Sequence, residues 1–326
     1  MIKPSPKDLR ILSTYHLHGE RSISEVAERA GEKVHTVRRV LTKATEAKLV
    51  QRRVFVNFFA LGLNQFGVYL NTKVTSKAAR VKIKNILQQI PFIELVIEVV
   101  GEFDFGLVVT VRSVFNIQEL LDRISSEASV SLSRIHIQPR TGWYYFGPKY
   151  FDRKIKNPPI QVVPSGKRIP FSHEEALLLD AYCSGSTENL AVVSRKLGLP
   201  SNTVQYRVNK MKESGLILGV RYQLSPSLLG YSTYRALVAL GESSREIREM
   251  IIRWAELQPY VVSLMFGVGN WQCELRIEAP DVDAATEVLD ELSSLLPNLI
   301  EQYSFMTVSK VLKMKLHPDR ELFVGD

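Results

Sequence analysis

The chain has 326 residues, which is longer than one average domain, so its length predicts two or more domains. Hydrophobic residues make up 45% and charged residues 23%, a composition typical of a soluble globular protein. No apolar run approaches the roughly 20 residues of a membrane-spanning helix, and the first residues lack the apolar core of a secretory signal. We therefore predict a cytoplasmic protein without a membrane partner.

The net charge of +8 is unevenly distributed along the chain. Residues 1–60 carry a net charge of +6, whereas residues 226–326 carry −6. This asymmetry favours a polyanionic partner for the amino-terminal part, although many basic surfaces are merely solvated. The two cysteines, Cys183 and Cys273, lack the spacing of a zinc site, so we predict free thiols and neither a metal nor a cofactor.

The first predicted elements are short helices. "SISEVAERAG" (Ser22–Gly31) begins with serine and glutamate at capping-box spacing and ends with glycine. The next helix, which begins near Val34, has an apolar stripe on one side and a polar, basic face on the other. The stripe consists of Val37, Val40, Leu41 and Ala44. Two short helices joined through a glycine turn, the second with a polar outer face, predict a helix-turn-helix.

The segment "LVQRRVFVN" (Leu49–Asn57) follows as a short strand with two arginines, as in the wing of a winged helix. Arginine and lysine neutralise phosphates or reach guanine, and threonine contacts the thymine methyl group, so the pattern indicates double-stranded DNA as partner. Ordinary amphipathic helices with solvated outer faces are the alternative. The predicted DNA contacts of this segment are His35, Thr36, Arg38, Arg39, Thr42, Lys43, Arg52 and Arg53.

The next residues predict a sheet with two helices. "FGVYLNTKVT" (Phe66–Thr75) is a strand by composition, and "SKAARVKIKNILQQIP" (Ser76–Pro91) is a helix that ends at proline. Two further strands flank Gly101, and a helix and a last strand follow them. The order β-α-β-β-α-β is that of a ferredoxin-like sandwich, with helices on one face of an antiparallel sheet.

The chain then repeats itself. Leu9–Val50 aligns with Ala176–Ile217 at a shift of 167, and after one inserted residue the alignment continues at a shift of 168. Phe151–Ser172, between the copies, is rich in proline and basic residues and predicts a linker. The predicted fold class is α+β, with two copies of a winged helix-turn-helix followed by a βαββαβ ferredoxin-like sandwich. The predicted domains are winged helix-turn-helix units at 1–57 and 171–224, ferredoxin-like domains at 58–150 and 225–326, and a linker at 151–170.

The second predicted recognition helix has a polar outer face with little net charge. Its apolar stripe consists of Val204, Val208 and Met211. Asparagine and glutamine bond adenine, so this face is also predicted to contact DNA. A role in packing alone is the alternative. The predicted DNA contacts of this copy are Ser201, Asn202, Gln205, Tyr206, Arg207 and Lys210.

The motifs "SNTVQYRV", "ESGLI" and "SPSLLGY" within Asn189–Tyr231 resemble the amino-terminal half of a leucine-responsive regulatory protein, of the Lrp/AsnC family of transcription regulators. The following βαββαβ unit is similar to the effector-binding and oligomerisation domain of that family. The resemblance covers nearly the whole chain, twice, with the linker excluded. It implies DNA binding by the winged helices and self-association through the sandwich domains.

The resemblance also implies a small effector such as an amino acid. The family's Gly-x-x-Asp turn matches "GEFD", so Gly101 and Asp104 are the predicted effector-binding residues, with a simple β-turn as the alternative. The second copy departs from the pattern, because Gln272 replaces the acid. The first copy departs elsewhere, with Val40 where the family usually has the arginine that the second copy keeps as Arg207.

We predict that the two βαββαβ units pack sheet against sheet as a pseudo-dimer and present two different recognition helices to an asymmetric DNA site. The predicted function is sequence-specific, DNA-binding transcription regulation without enzyme activity. One alternative is a siroheme decarboxylase, an enzyme class of the same architecture that needs histidine and arginine around a tetrapyrrole; only His136 lies in a predicted sandwich strand. Another is an effector-sensing module whose helix-turn-helix units no longer bind DNA.

Overall fold

In the computed structural model the chain is a mixed α+β protein made of two copies of one series of elements. The structure describes residues 5–17, 22–47, 49–73, 76–128, 131–151, 158–184, 190–315 and 317–322. Within these ranges, every helix is too short or too polar to cross a membrane.

The first copy begins with three helices and continues with strands and two further helices. Its elements are α1 (Pro6–Leu17), α2 (Ile23–Ala30), α3 (Val34–Glu46), β1 (Val50–Val56), β2 (Asn64–Thr72), α4 (Lys77–Gln89), β3 (Ile93–Val100), β4 (Phe105–Val111), α5 (Phe115–Ala128) and β5 (Leu132–Tyr145).

A short strand, β6 (Ile160–Val162), precedes the second copy, which has the same order of helices and strands. Its elements are α6 (His173–Ser184), α7 (Leu190–Leu197), α8 (Ser201–Glu213), β7 (Ile217–Leu224), β8 (Ser232–Leu240), α9 (Arg245–Leu257), β9 (Val261–Gly267), β10 (Cys273–Ala279), α10 (Val282–Leu295) and β11 (Ile300–Met314).

Local sequence explains both ends of α2. Ser22 Oγ accepts a hydrogen bond from Glu25 N (3.2 Å), and Glu25 Oε2 accepts one from Ser22 N (2.8 Å), which completes a capping box. Gly31 ends the helix at φ +65°, the left-handed conformation that favours glycine. The turn then brings the chain directly into α3, so α2 and α3 are held at a defined angle.

The strands β1 and β7 pair with each other across the two copies. Their ladder is antiparallel and places Arg53 opposite Arg221. Tyr222 of β7 packs into the core of α1–α3, and Val54 of β1 packs into the core of α6–α8. This two-stranded sheet, which we call the ribbon, therefore exchanges strands between the helical units and ties α3 to α8.

The remaining long strands form one sheet that closes on itself. Its order is β2-β4-β3-β11-β8-β10-β9-β5, and β5 pairs back with β2. Because each of these strands has two hydrogen-bonded neighbours, the sheet is a barrel. In the first copy α4 and α5 cover the outside of the barrel, and in the second α9 and α10 do so.

The two longest strands, β5 and β11, join the copies. The first part of β5 pairs with β2 of its own copy, and its last part, from Arg140 to Tyr145, pairs with β9 of the other copy. In the same way β11 pairs first with β8 and then with β3. The copies thus meet edge to edge rather than sheet against sheet as predicted, because each supplies the partner that the open edges of the other sheet need.

Candidate functional site

The outward face of α3 carries basic and polar side chains in contact with solvent. Its apolar stripe lies in the core of the first helical unit, which turns the opposite side of the helix outward. Among the residues that the structure describes, the three cations of this face form no ion pair with a carboxylate. The exposed side chains of the face are His35, Arg38, Arg39, Thr42 and Lys43. Their charge is therefore available to a polyanion.

The outward face of α8 is more polar and partly engaged within the protein. Gln205 donates a hydrogen bond to Asn209 along the helix (2.8 Å). Arg207 Nη1 lies 2.9 Å from the Glu174 carboxylate on α6. Lys210 Nζ lies over the ring of Tyr206, 4.8 Å from its centroid. Ser201 and Asn202 begin the helix and are exposed.

Two predicted DNA contacts point into the protein instead. Thr36 is only 8% exposed, since it lies on the buried side of α3. Arg52 is also 8% exposed; its Nη1 donates to the Tyr182 carbonyl oxygen (2.6 Å), and its guanidinium lies over the Tyr182 ring. A direct DNA contact, as predicted, does not fit the buried position of either side chain; for Arg52 the reason is that strand exchange in the ribbon turns it into the second helical unit.

Arg53, the other predicted wing contact, lies against the aromatic rings of Phe55 on β1 and Trp143 on β5. Its guanidinium carbon is 4.7 Å from the ring centroid of Trp143 and 4.8 Å from that of Phe55. Burial lowers the pKa of Arg53 to about 10, so the side chain stays charged at neutral pH. Its charged group lines a cavity between the ribbon and the barrel, which is described below. The predicted direct contact with DNA does not fit this position.

The predicted effector residues lie in the turn between β3 and β4. Asp104 Oδ2 accepts hydrogen bonds from the backbone N of Thr72 (2.8 Å) and from its hydroxyl group (3.1 Å). In the second copy, Gln272 Oε1 accepts the equivalent bond from Leu240 N (2.7 Å). Both copies therefore use this side chain to hold the turn, and the contact of Gly101 and Asp104 with an effector stays a prediction.

Charged side chains fill the middle of the barrel. Glu274 on β10 is fully buried and accepts hydrogen bonds from Arg140 Nη2 (2.8 Å), Arg235 Nη1 (3.1 Å) and the Tyr69 hydroxyl group (2.8 Å). Burial by itself raises the pKa of the Glu274 carboxyl, but the two guanidinium groups outweigh it and hold that pKa below the usual value. Glu274 is therefore ionised at neutral pH.

This cluster depends on a difference between the two copies. At a shift of 168, Gly67 and Gly106 of the first copy align with Arg235 and Glu274 of the second. A Cβ atom at Gly106 would lie 2.8 Å from Tyr69 Cε1, and one at Gly67 would lie 3.4 Å from Glu274 Oε2. Glycine at position 67 thus leaves room for Glu274 and Arg140, and glycine at position 106 leaves room for the ring of Tyr69, which bonds to Glu274.

A cavity of about 790 Å³, which we call the ribbon cavity, is lined by the ribbon and by one end of the barrel. Its walls include apolar side chains such as Trp143 and Met265. Among the described lining residues, Glu94 is the one acid. The lining cations are Arg53, Arg140, Arg235, Arg276, Lys310, Lys313 and Lys315. This arrangement suits an anionic ligand that also has an apolar part.

Glu94 is buried in the wall of the ribbon cavity. Its Oε2 accepts a hydrogen bond from Gln65 Nε2 (3.2 Å), and Gln65 Oε1 in turn accepts one from Arg140 Nη1 (3.0 Å). Burial raises the pKa of the Glu94 carboxyl to about 7, although Arg53, Arg140 and Lys315 act in the opposite direction. The acid of the cavity therefore changes its charge near neutral pH.

Replacing Glu94 with glutamine is expected to stabilise the protein at alkaline pH. The folded-state pKa of about 7 lies above the usual 4.5, so the favourable contribution of the protonated acid is complete below about pH 4.5 and is lost as the pH rises to 7. Between pH 4 and pH 8, the unfolding free energy of Glu94→Gln should gain about 3 kcal/mol relative to wild type. Urea unfolding across this range measures it; a constant difference contradicts it.

His136, the histidine of the predicted sandwich strand, lies outside the ribbon cavity. Its ring packs edge-on against Phe103, with centroids 5.2 Å apart, and near Trp271. Its Nδ1 is 3.5 Å from Asn270 Nδ2. No histidine is found among the described residues that line the ribbon cavity.

The sequence analysis missed the charged interior. In "CELRIEA", Glu274, Arg276 and Glu278 alternate with apolar residues, a pattern that equally indicates a solvent-facing side of a strand. The replacement of Gly67 and Gly106 by charged residues in the repeat alignment was the signal that could have revealed it.

No protein-family model matches this chain. An uncharacterised HTH-type transcriptional regulator of Pyrococcus horikoshii is 28% identical over a 143-residue alignment, and the match covers 41% of this chain and 91% of that protein. The regulatory protein AsnC of Escherichia coli is 24% identical over 140 residues, 41% of this chain and 91% of that protein. The proline dehydrogenase transcriptional activator of Rhodobacter capsulatus is 26% identical over 138 residues, 42% and 89% of the two chains.

A solved structure matches the whole length. The crystal structure of the siroheme decarboxylase NirDL has a TM-score of 0.60 and 11% identity, and the match covers 97% of each chain. Its complex with an iron-uroporphyrin III analogue has a TM-score of 0.61 and 10% identity, covering 97% of this chain and 96% of that one. At this identity the likeness shows a common fold.

These comparisons bear on two predictions, the absence of enzyme activity and the resemblance to Lrp/AsnC regulators. The prediction of no enzyme activity is contradicted by the full-length structural matches, which are to an enzyme; at 10–11% identity they show the fold and assign no activity to this chain. The resemblance to Lrp/AsnC regulators is supported by relatives that each match about two fifths of the chain. The α+β class and the duplication are confirmed.

Proposed function

We propose that this protein is a sequence-specific DNA-binding transcription regulator. In this proposal, α1–α3 with the ribbon and α6–α8 with the ribbon act as winged helix-turn-helix units, and the βαββαβ units are ferredoxin-like domains. One observation carries the proposal: the exposed face of α3 presents Arg38, Arg39 and Lys43 without a carboxylate partner among the described residues. The curated relatives that are named as transcription regulators support it.

The ribbon supports the proposal that two different helices, α3 and α8, contact DNA together. It joins the two helical units by a continuous antiparallel ladder, so α3 and α8 are presented as a pair. The two faces differ in chemistry, because α3 is basic whereas α8 offers Asn202 and Gln205. In this proposal α3 supplies most of the phosphate contacts and α8 adds base contacts, which favours an asymmetric site.

Affinity for a duplex selected from a random library should fall steeply with salt, since phosphate neutralisation releases counterions. Replacing Arg38, Arg39 and Lys43 together with glutamine removes up to three phosphate contacts. The slope of log K against log salt should then become shallower by about 2 to 3. Fluorescence anisotropy with a labelled duplex at several salt concentrations measures both slopes.

The matched control replaces three exposed cations elsewhere, the lysines Lys73, Lys77 and Lys82, which lie at and beside α4. Its net charge equals that of the α3 variant, so a non-specific loss of positive charge affects both equally. Equal slopes for the two variants, or a wild-type protein with no preference for the selected duplex over heparin, would refute the proposal.

A second candidate function is an enzyme acting on a tetrapyrrole carboxylate. The full-length fold shared with a siroheme decarboxylase favours it, as do the arginines of the ribbon cavity. The histidine that the sequence analysis expected beside such a substrate does not accompany those arginines in the described lining. Adding iron-uroporphyrin to the purified protein tests it: a shifted, saturable absorbance band together with loss of carbon dioxide would favour the enzyme, and an unchanged spectrum would exclude it.

A further inference from the structure

We infer that the ribbon cavity binds a small organic anion carrying two or more carboxylate or phosphate groups, and that this ligand contacts the ribbon and the barrel at the same time. The site is separate from the predicted effector residues, which hold the β3–β4 turn. The assignment rests on charge balance, on unpartnered buried donors and on the composition of the walls.

The charge balance of the cavity is positive. Arg140 and Arg235 share a single carboxylate, that of Glu274. Arg53 Nη1 donates a hydrogen bond to Oε1 of the neutral Gln223 (3.3 Å), and no carboxylate lies within ion-pair distance of Arg53 among the described residues. Two charged guanidinium groups are thus left without a carboxylate of their own. This excess of positive charge favours an anion in the cavity.

Buried hydrogen-bond donors point to the same conclusion. Arg140 is 8% and Arg235 7% exposed, and the Nε atom of each has no hydrogen-bond partner among the described residues. The Nε atom of Arg53 is likewise buried without a partner. An unsatisfied buried donor on a charged group is costly, and a carboxylate or phosphate satisfies a guanidinium through two parallel bonds.

The walls set the size and character of the ligand. A volume of about 790 Å³ falls within the range of small-molecule sites, roughly 300–1,000 Å³. Apolar side chains, among them Leu95, Ile97 and Met265, line the space between the charged groups. Cations come from different walls, with Arg53 on the ribbon and Arg235 and Arg276 on the barrel. A ligand with anionic groups at two ends of an apolar body fits this distribution.

The position of Arg53 links such a ligand to the recognition helices. Arg53 belongs to β1, which directly follows α3 and pairs with β7, which directly follows α8. A ligand that bonds Arg53 and the barrel together fixes the ribbon relative to the barrel. This consequence, unlike the binding itself, rests on the proposed DNA-binding function: ligand and DNA should change each other's affinity by the same factor.

The test is binding of citrate and of pyrophosphate to the intact protein, at constant ionic strength, followed by tryptophan fluorescence, to which Trp143 of the cavity wall contributes, and by calorimetry. Citrate stands for the carboxylate source and pyrophosphate for the phosphate source; acetate is the monoanion control. Arg53→Gln should weaken the binding of the preferred probe about tenfold or more, since a hydrogen bond to a charged group is lost. Arg221→Gln removes the same charge from the facing position of the ribbon, outside the cavity lining, and should leave binding unchanged.

A second variant keeps the test decisive if Arg53→Gln does not fold. Glu94 faces Arg53 on β1, Arg140 on β5 and the lysines Lys313 and Lys315 at the end of β11. Glu94→Gln should bind the probe about tenfold more tightly than wild type at pH 8, where wild-type Glu94 is ionised, and equally at pH 5.5. Comparing the two proteins at each pH cancels the titration of the probe itself.

Specific outcomes overturn the inference. These are no binding of either probe by wild type, an equal loss in the Arg53 and Arg221 variants, or a Glu94 variant whose affinity never differs from that of wild type. If a probe binds without any effect on DNA affinity, the anion site stands and the proposed coupling between the ligand and DNA binding is refuted. DNA binding is measured in a separate experiment, so a protein that fails to bind DNA leaves the result for citrate and pyrophosphate unchanged.

Discussion

Replacing Glu274 with alanine is expected to lower the free energy of unfolding by about 3–5 kcal/mol. The carboxylate is fully buried and accepts hydrogen bonds from Arg140, Arg235 and Tyr69. Without it, two buried guanidinium groups repel each other and lose the carboxylate that they share. The cost of an uncompensated buried charge is far larger than the stabilisation that an intact buried ion pair provides.

Urea unfolding followed by circular dichroism measures this loss. The matched control is Glu301→Ala, which removes a solvent-exposed glutamate from β11, another strand of the barrel. The control should change the unfolding free energy by no more than about 0.5 kcal/mol. Equal effects of the two substitutions would mean that the Glu274 cluster does not hold the barrel together.

The second prediction separates two arginines that looked alike in the sequence. Arg39→Ala should weaken binding to the selected duplex by about 1–3 kcal/mol if Arg39 reads a base, and leave the unfolding free energy unchanged. Arg52→Ala, in contrast, should lower the unfolding free energy by about 1–3 kcal/mol. The reason is that Arg39 is exposed on α3, whereas Arg52 donates to the Tyr182 carbonyl oxygen and lies over its ring.

Anisotropy titrations at fixed salt and urea unfolding of the same preparations provide both numbers. Duplex binding by Arg52→Ala is to be measured at a temperature where that variant is fully folded. A direct DNA contact of Arg52 would reveal itself as a loss of affinity without a loss of stability. Unchanged duplex affinity in Arg39→Ala would remove Arg39 from the recognition surface.

Local signals in the sequence were sufficient for the helices. The capping box at Ser22 and Glu25 and the left-handed Gly31 depend on neighbours in the chain, so they can be read without a fold. The apolar stripe of α3 likewise selects the side that packs, which leaves His35, Arg39 and Lys43 outside. The role of these side chains toward DNA remains a prediction until binding is measured.

The ribbon could not be derived in this way. A strand with "QRR" after a helix-turn-helix indicates a wing, and nothing local says that its hydrogen-bonded partner belongs to the other copy. Strand exchange is decided by long-range packing: Val54 completes the core of α6–α8 and Tyr222 completes that of α1–α3. Arg52 and Arg53 lie within this strand, so the strand exchange places their side chains away from the predicted DNA-binding surface.

The sequence by itself determined that the chain is an α+β protein in two copies, where α2 begins and ends, and which faces of α3 and α8 are apolar. The tertiary structure alone decided which side of β10 is the interior. The alternation of Glu274, Arg276 and Glu278 with apolar residues is the same whether the charged side meets water or the inside of a barrel. Only the pairing of β5 and β11 with the opposite copy encloses that side, so the buried charges and the ribbon cavity arise from contacts between residues far apart in the chain.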